Sequence, residues 1–267
     1  MRKGPIPYWA KRIKHLIKKS LIVTGPAFYW RLRYAILGYP EPELKLIDRF
    51  RSKDLCAIDV GGNYGMYTFY ASRRFSTCYT FEPLPYFEPI YTQGFKNQNI
   101  VWKQVALSDK EETAVMRTPT CDRGYSTIDS RNQLEGKVDE SDGIDIVEVK
   151  TARLDTFEIK SVGFLKVDVE GHELEVLRGA AQTIGSSKPV ILVEVEERHR
   201  EGSVKGVAAL LADMGYDCYF LLNKVLQPFS LFKMELHQNP EFKRDYIRNF
   251  LFIHQENNAA YTDFIKA

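Results

Sequence analysis

The stretch over residues 55–68, LCAIDVGGNYGMYT, is the feature that most constrains this chain. An apolar run without polar alternation, as in a strand buried on both faces, ends on Asp59 and Val60. Gly61, Gly62 and Gly65 follow, with Asn63 among them, and MYTFYASRRF then takes up a helical period. A glycine loop between a first strand and its helix sits where open α/β sheets bind ligands, beyond the carboxyl ends of the strands. Missing side chains there let a cofactor approach the backbone and the helix N-terminus.

The spacing is not that of a phosphate-cradling loop, since no GK[ST] follows, and it departs from GxGxxG by moving the first glycine. Asp59 argues against a dinucleotide, because a carboxylate there would repel a pyrophosphate and attract a cation. Such a carboxylate pairs, directly or through water, with an ammonium group such as that of a methionine moiety carrying a sulfonium. The next strand, STCYTFEP, ends on Glu82, 23 residues beyond Asp59. That is near the ~20-residue offset at which an acidic residue meets a ribose diol. A helix-capping aspartate, with glycines that serve only the fold, would also explain the loop without a ligand.

The alternation continues through the chain. LPYFEPIYTQGF reads as a helix interrupted near Pro89, and NIVWKQVALSD as a third strand. From Ser108 the pattern changes: TAVMRTP and IDIVEVKTARLD read as antiparallel strands flanking a polar loop, CDRGYSTIDSRNQLEGKVDESDG. VGFLKVDV, KPVILVEVE and YDCYFLLN then read as strands separated by the helices HELEVLRGAAQTI and VKGVAALLADMG. NFLFIHQE is expected as a last, antiparallel strand at or near the sheet edge. The expectation is an α/β fold with a doubly wound, mostly parallel seven-stranded sheet and a β-rich insertion over residues 108–156. Residues 45–267 are expected as one domain, with the insertion covering the acceptor site through groups such as Asp122, Arg123 and Tyr125.

Residues 1–44 are expected to form a separate arm. Residues 1–40 carry nine Lys/Arg and no Asp/Glu, leaving 28 basic against 35 acidic residues in the remainder. Trp9, Ile13, Leu16 and Ile17 recur at helical spacing among lysines and arginines, which predicts a basic amphipathic helix. Such a helix lies on an anionic membrane surface, contacts a polyanion, or packs its apolar face on the body. Peripheral contact with the inner face of a membrane through residues 1–20 is therefore one expectation. No apolar run is long enough to cross a bilayer, since Arg31 and Arg33 interrupt the longest. Cys56, Cys78, Cys121 and Cys218 are scattered with no metal-ligand spacing, which suits a reduced, cytoplasmic protein.

The segment FLKVDVEGHELEVLRGA, residues 164–180, places Asp168 and Glu170 at the carboxyl end of the fourth parallel strand, with His172 just beyond. A capped helix start accounts for some of these acids but not for their density on the rim that carries Asp59 and Glu82. His199 follows EER on a loop, and a lone strand histidine such as His254 is ordinarily structural.

DVGGNYGMYT, FEP, the VxVxxxxLDTF stretch over residues 147–157, KVDVEGHELEVLRGA and VILVEVE together resemble the FkbM-type S-adenosylmethionine-dependent methyltransferases. The resemblance runs over about residues 45–223. It implies a class I methyltransferase, Rossmann-like sheet and methylation of a hydroxyl on a sugar, glycan, glycolipid or related metabolite. It implies a methyl-donor site with Asp59, Gly61, Gly62, Asn63, Gly65 and Glu82, and with Ala106 and Ser108 near the adenine. Asp168 is the first candidate to take the acceptor proton, with His172 and Glu194 next. Alternatively Asp168, Glu170 and Glu194 hold a divalent metal that activates the hydroxyl. Competing readings are a non-catalytic scaffold working through the basic arm, an RNA methyltransferase, and an NAD-dependent oxidoreductase. The acidic body makes nucleic acid the weaker partner.

Overall fold

The computed structural model of the protein describes residues 25, 29–30, 41–95, 98–134, 143–242 and 245–257. The predicted arm helix lies outside these residues, as do residues 135–142 of the polar loop. Among the described residues no helix is long and apolar enough to cross a membrane.

The chain runs through α1 (Leu44–Phe50), β1 (Cys56–Val60), α2 (Met66–Ser72), β2 (Cys78–Phe81), β3 (Ile100–Lys103) and β4 (Ala106–Leu107). It continues with β5 (Thr113–Pro119), β6 (Ile144–Ala152), β7 (Val162–Val167), α3 (Glu173–Gly179), α4 (Ala181–Ser187) and β8 (Val190–Glu194). The last elements are α5 (Ser203–Asp213), β9 (Tyr216–Leu222), β10 (Val225–Pro228), α6 (Met234–His237) and β11 (Asn249–His254). Between β2 and β3, Pro89 separates a 3₁₀ turn from a π-type turn at Ile90–Gly94, in keeping with an interrupted helix.

The main sheet has the order β10, β9, β11, β8, β7, β1, β2, β3. β3, β2, β1, β7 and β8 are parallel, and β11 runs antiparallel to both its neighbours. The fold is therefore α/β, doubly wound and mostly parallel. The expected strands are present except that NIVWKQVALSD divides into β3, in the main sheet, and β4, outside it, and β10, a hairpin partner of β9, makes an eighth. The last strand is not at the edge, however: β11 is inserted between β8 and β9. Its uninterrupted NFLFI, every residue buried, suits an interior position covered on both faces.

Strand alternation divides the core. Ala57, Phe164 and Leu192 face α1 and α2, together with Leu44, Ile47 and Phe69. Ile58, Val60, Leu165, Val167 and Val193 face α3, α4 and α5, together with Val176, Ile184 and Val207. The insertion forms a second sheet with the residues just before it, β5 lying antiparallel to β6 and β4 parallel to it. It closes over the rim where β1, β2 and β7 end.

Candidate active site

The site is a cavity of about 600 Å³, counting its open mouth, at the carboxyl ends of β1, β2 and β7. Gly61, Asn63, Glu82, Ala106, Asp168, Glu170 and His172 all line it. Phe81, Leu84, Leu107, Met116 and Ile128 supply apolar walls, and Arg123, Gly124 and Ser126 close it from the insertion. The insertion thus covers the same cavity as the glycine loop. Arg123 is held there with its guanidinium 4.7 Å over the Tyr86 ring and 2.8 Å from Asp145.

Two strand ends approach closely at Gly61. The Asp168 amide donates to the Val60 carbonyl at 3.0 Å, and a Cβ on Gly61, at φ +82°, would lie 1.8 Å from the Asp168 carbonyl oxygen. Gly62 and Gly65 do not line the cavity among the described residues. A Cβ on Gly62 would meet Thr80 and Tyr91, and one on Gly65 would meet the Phe95 ring. These two glycines serve packing, so they open no path for a cofactor.

Glu82 is buried and takes two backbone donors, the Asn63 amide at 2.8 Å and the Leu84 amide at 3.0 Å. Burial pushes its carboxyl up to about 7, against those hydrogen bonds. Each oxygen keeps a second lone pair for a further donor. Asn63 adopts φ +47°, and its Oδ1 is buried without a hydrogen-bond partner among the described residues. The cavity therefore carries acceptors able to receive a diol, apolar walls for a flat ring, and an unsatisfied amide oxygen. These acceptors and walls fit an adenosyl ligand.

Asp59 behaves differently from the expectation. It projects on the α2 face, accepts from Thr68 Oγ1 at 2.6 Å, and does not line the cavity. Burial raises its carboxyl to about 6, with the Thr68 hydrogen bond opposing. Ser108 also lies behind the wall, with its Oγ 2.9 Å from His172 Nε2. That bond ties His172 to the residues after β4, at the end expected to meet adenine.

The expected metal set does not assemble. Lys166 Nζ stands 3.7 Å from Asp168 and 3.9 Å from Glu194, so an ammonium occupies the space between those carboxylates. Glu194 is also 3.4 Å from Arg248 Nε, and Glu170 lies 3.0 Å from Nε2 of the buried His199. Among the described residues, Asp129, His172 and Glu175 do converge. Arg131 donates to Asp129, and Arg200 to Glu175 at 2.8 Å, so cations already fill the place of an ion. Glu194 does not line the cavity and lies behind Lys166.

Sequence reasoning missed Lys166, Tyr67, Asn249, Arg248 and the Glu170–His199 pair. A lone cation inside the apolar run FLKVDV was a signal for the first. Arg248 and His199 arrive from distant segments and left none.

The model of the methyltransferase FkbM domain family matches residues 59–218. A protein named Methyltransferase 1 from Beauveria bassiana (strain ARSEF 2860) is 32% identical over 146 residues, covering 47% of this chain and 58% of that protein. The chain thus spans less than two thirds of that relative's length. Among solved structures, methyltransferase FkbM from Methylobacillus flagellatus KT aligns with 94% of this chain and 63% of its own, at 15% identity and a TM-score of 0.47. Precorrin 8w decarboxylase from Methanobacterium thermoautotrophicum aligns with 79% of this chain and 87% of its own, at 12% identity and a TM-score of 0.41. With the family model covering more than half of its residues, this chain belongs to the methyltransferase FkbM domain family.

Proposed function

We propose that the protein is an S-adenosylmethionine-dependent O-methyltransferase whose acceptor is a hydroxyl of a sugar, glycan, glycolipid or related metabolite. One observation carries this reading: Gly61, Asn63 and Glu82 line one and the same cavity with Asp168. The bound donor supplies an electrophilic methyl group on a sulfonium. Glu82 and Asn63 hold the adenosyl part, while the apolar walls exclude water from the ring. Positioning an acceptor oxygen at the methyl carbon is worth ~7–11 kcal/mol. Asp168 takes the hydroxyl proton as the C–O bond forms and the C–S bond breaks, a contribution of ~10²–10⁴-fold. Its side chain is 31% exposed, so an acceptor can reach it, whereas Glu194 is screened by Lys166.

Calorimetric titration with S-adenosylmethionine, S-adenosylhomocysteine and NAD tests the reading. Binding of both adenosyl-sulfur ligands, lost in Glu82→Ala, supports it, and binding of NAD alone overturns it. An acceptor screen follows, in which Asp168→Asn keeps S-adenosylhomocysteine affinity and loses turnover. A lipid-linked acceptor would give residues 1–20 a role at an anionic membrane. In that case their deletion lowers activity on vesicle-bound acceptor but not on a soluble one.

A further inference from the structure

Lys166 is fully buried in β7, on the face of the sheet that packs against α2, and the reaction outlined above does not use it. Its ammonium is held from several sides. Nζ donates to Asn249 Oδ1 at 3.2 Å and lies 5.0 Å over the Tyr67 ring. Asp168 and Glu194 stand at 3.7 and 3.9 Å, and Asp59 is its direct neighbour across the β1–β7 register. Glu41 completes the surroundings: it accepts from Tyr67 Oη at 2.7 Å and from Arg248 at 3.0 Å. The groups facing Lys166 and Asp168 are therefore Asp59 on β1, Tyr67 on α2, Glu41 and Glu43 before α1, Glu170 after β7, Glu194 on β8, and Arg248 and Asn249 at the start of β11.

Among the acids that face Lys166, only Asp168 lines the cavity. Once the Lys166 cation is removed, Glu194 still has Arg248 at 3.4 Å, whereas Asp168 has lost its one ion-pair partner among the described residues, so its affinity for a proton rises. A protonated Asp168 neither accepts a proton from an acceptor nor attracts a positive ligand. Burial alone would lower the affinity of Lys166 for its proton, yet its acidic neighbours outweigh this and hold the ammonium charged.

We propose that Lys166 is a positioning residue that keeps the Asp168 carboxylate ionised and aimed into the cavity, with Asn249 fixing the direction of its ammonium. The proposal rests on the cavity being the methyl-donor site. It makes a prediction that needs no acceptor. An ionised Asp168 favours a sulfonium over the corresponding neutral thioether, so the part of the ratio of S-adenosylhomocysteine to S-adenosylmethionine dissociation constants that Asp168→Asn abolishes reports its charge, apart from Glu82 and Glu170 in the same cavity.

The experiment measures that ratio between about pH 6 and 9 for wild type, Lys166→Met, Asp168→Asn and the double variant. Lys166→Met is expected to keep S-adenosylhomocysteine affinity and to lose about tenfold of the preference for the sulfonium near pH 7, regaining it as pH rises and Asp168 ionises. Asp168→Asn is expected to show the low preference at every pH, with no further loss in the double variant. A preference in Lys166→Met that matches wild type at every pH, or one that is low but does not recover with pH, overturns the proposal. Should Lys166→Met fail to fold, Asn249→Leu removes only the acceptor of the ammonium. It is expected to shift the preference in the same sense, and an unchanged preference there also overturns the proposal. Binding of neither ligand by wild type would instead overturn the methyl-donor reading on which the proposal stands.

Discussion

His172 Nε2 lies 2.9 Å from Ser108 Oγ, which joins the start of α3 to the residues that follow β4. This places His172 at the expected adenine end of the cavity, while Asp168 occupies the rim beside Lys166. His172→Ala is expected to weaken S-adenosylhomocysteine binding about fivefold, the weight of one net hydrogen bond of ~1 kcal/mol. A loss of turnover of ~10²–10⁴-fold at unchanged affinity would mark it as the base instead. Equilibrium titration beside single-turnover rates separates the two.

Glu82 supplies a pH test. Its folded pKa of about 7 lies above the ordinary carboxylate value, so its contribution to stability is complete below the unfolded pKa and is lost as pH rises through about 7. Replacement by Gln removes that titration but costs a backbone hydrogen bond at every pH. The stability of Glu82→Gln relative to wild type is therefore expected to rise between about pH 4 and 8, by on the order of 3 kcal/mol, in urea titrations of the ligand-free protein. A flat difference would place the Glu82 carboxylate in a more polar environment than the fold implies.

Gly61 and Gly202 both have positive φ, near +80°, but differ in surroundings. A methyl group at position 61 meets the Asp168 carbonyl, whereas among the described residues nothing lies within 4 Å of one at position 202. Gly202→Ala is expected to cost about 1 kcal/mol of backbone strain, and Gly61→Ala about 3 kcal/mol or more, because the ends of β1 and β7 must separate. Thermal unfolding of the two variants measures the gap. Equal losses would count against the close approach.

Arg123 ties the insertion to the rim by stacking on Tyr86. Arg123→Ala is expected to speed release of S-adenosylhomocysteine about fivefold, from ~1 kcal/mol of lost cation–π attraction, with little change in overall stability. Stopped-flow displacement would show it. An unchanged release rate would mean that the insertion does not retain the ligand.

The buried parallel strands were legible because burial on both faces removes the polar alternation, as in CAIDV and VILVE. The place of Glu82 at the end of β2, lining the cavity, was legible from the apolar run that precedes it. The face on which Asp59 emerges could also be read, since Ile58 and Val60 flank it and alternation sends it the other way. What the glycines face could not be read, because Tyr91 and Phe95 reach Gly62 and Gly65 from a segment with irregular turns. The metal alternative failed for a similar reason. Carboxylates at strand ends look alike in sequence whether their partner is an ion or an ammonium, and Arg248 reaches Glu194 only because β11 enters the sheet beside β8.

That entry also governs the order of assembly. β11 comes last among the strands of the main sheet, yet it is the bridge through which β9 and β10 join β8. While the chain is being synthesised, β8 and β9 each keep an unpaired, apolar edge until residues 249–254 emerge from the ribosome. Completion of the sheet therefore waits for almost the whole described chain. Exposure to mispairing with other chains is greatest in that late interval, and a nascent chain halted before residue 249 would retain both edges as binding sites for a chaperone.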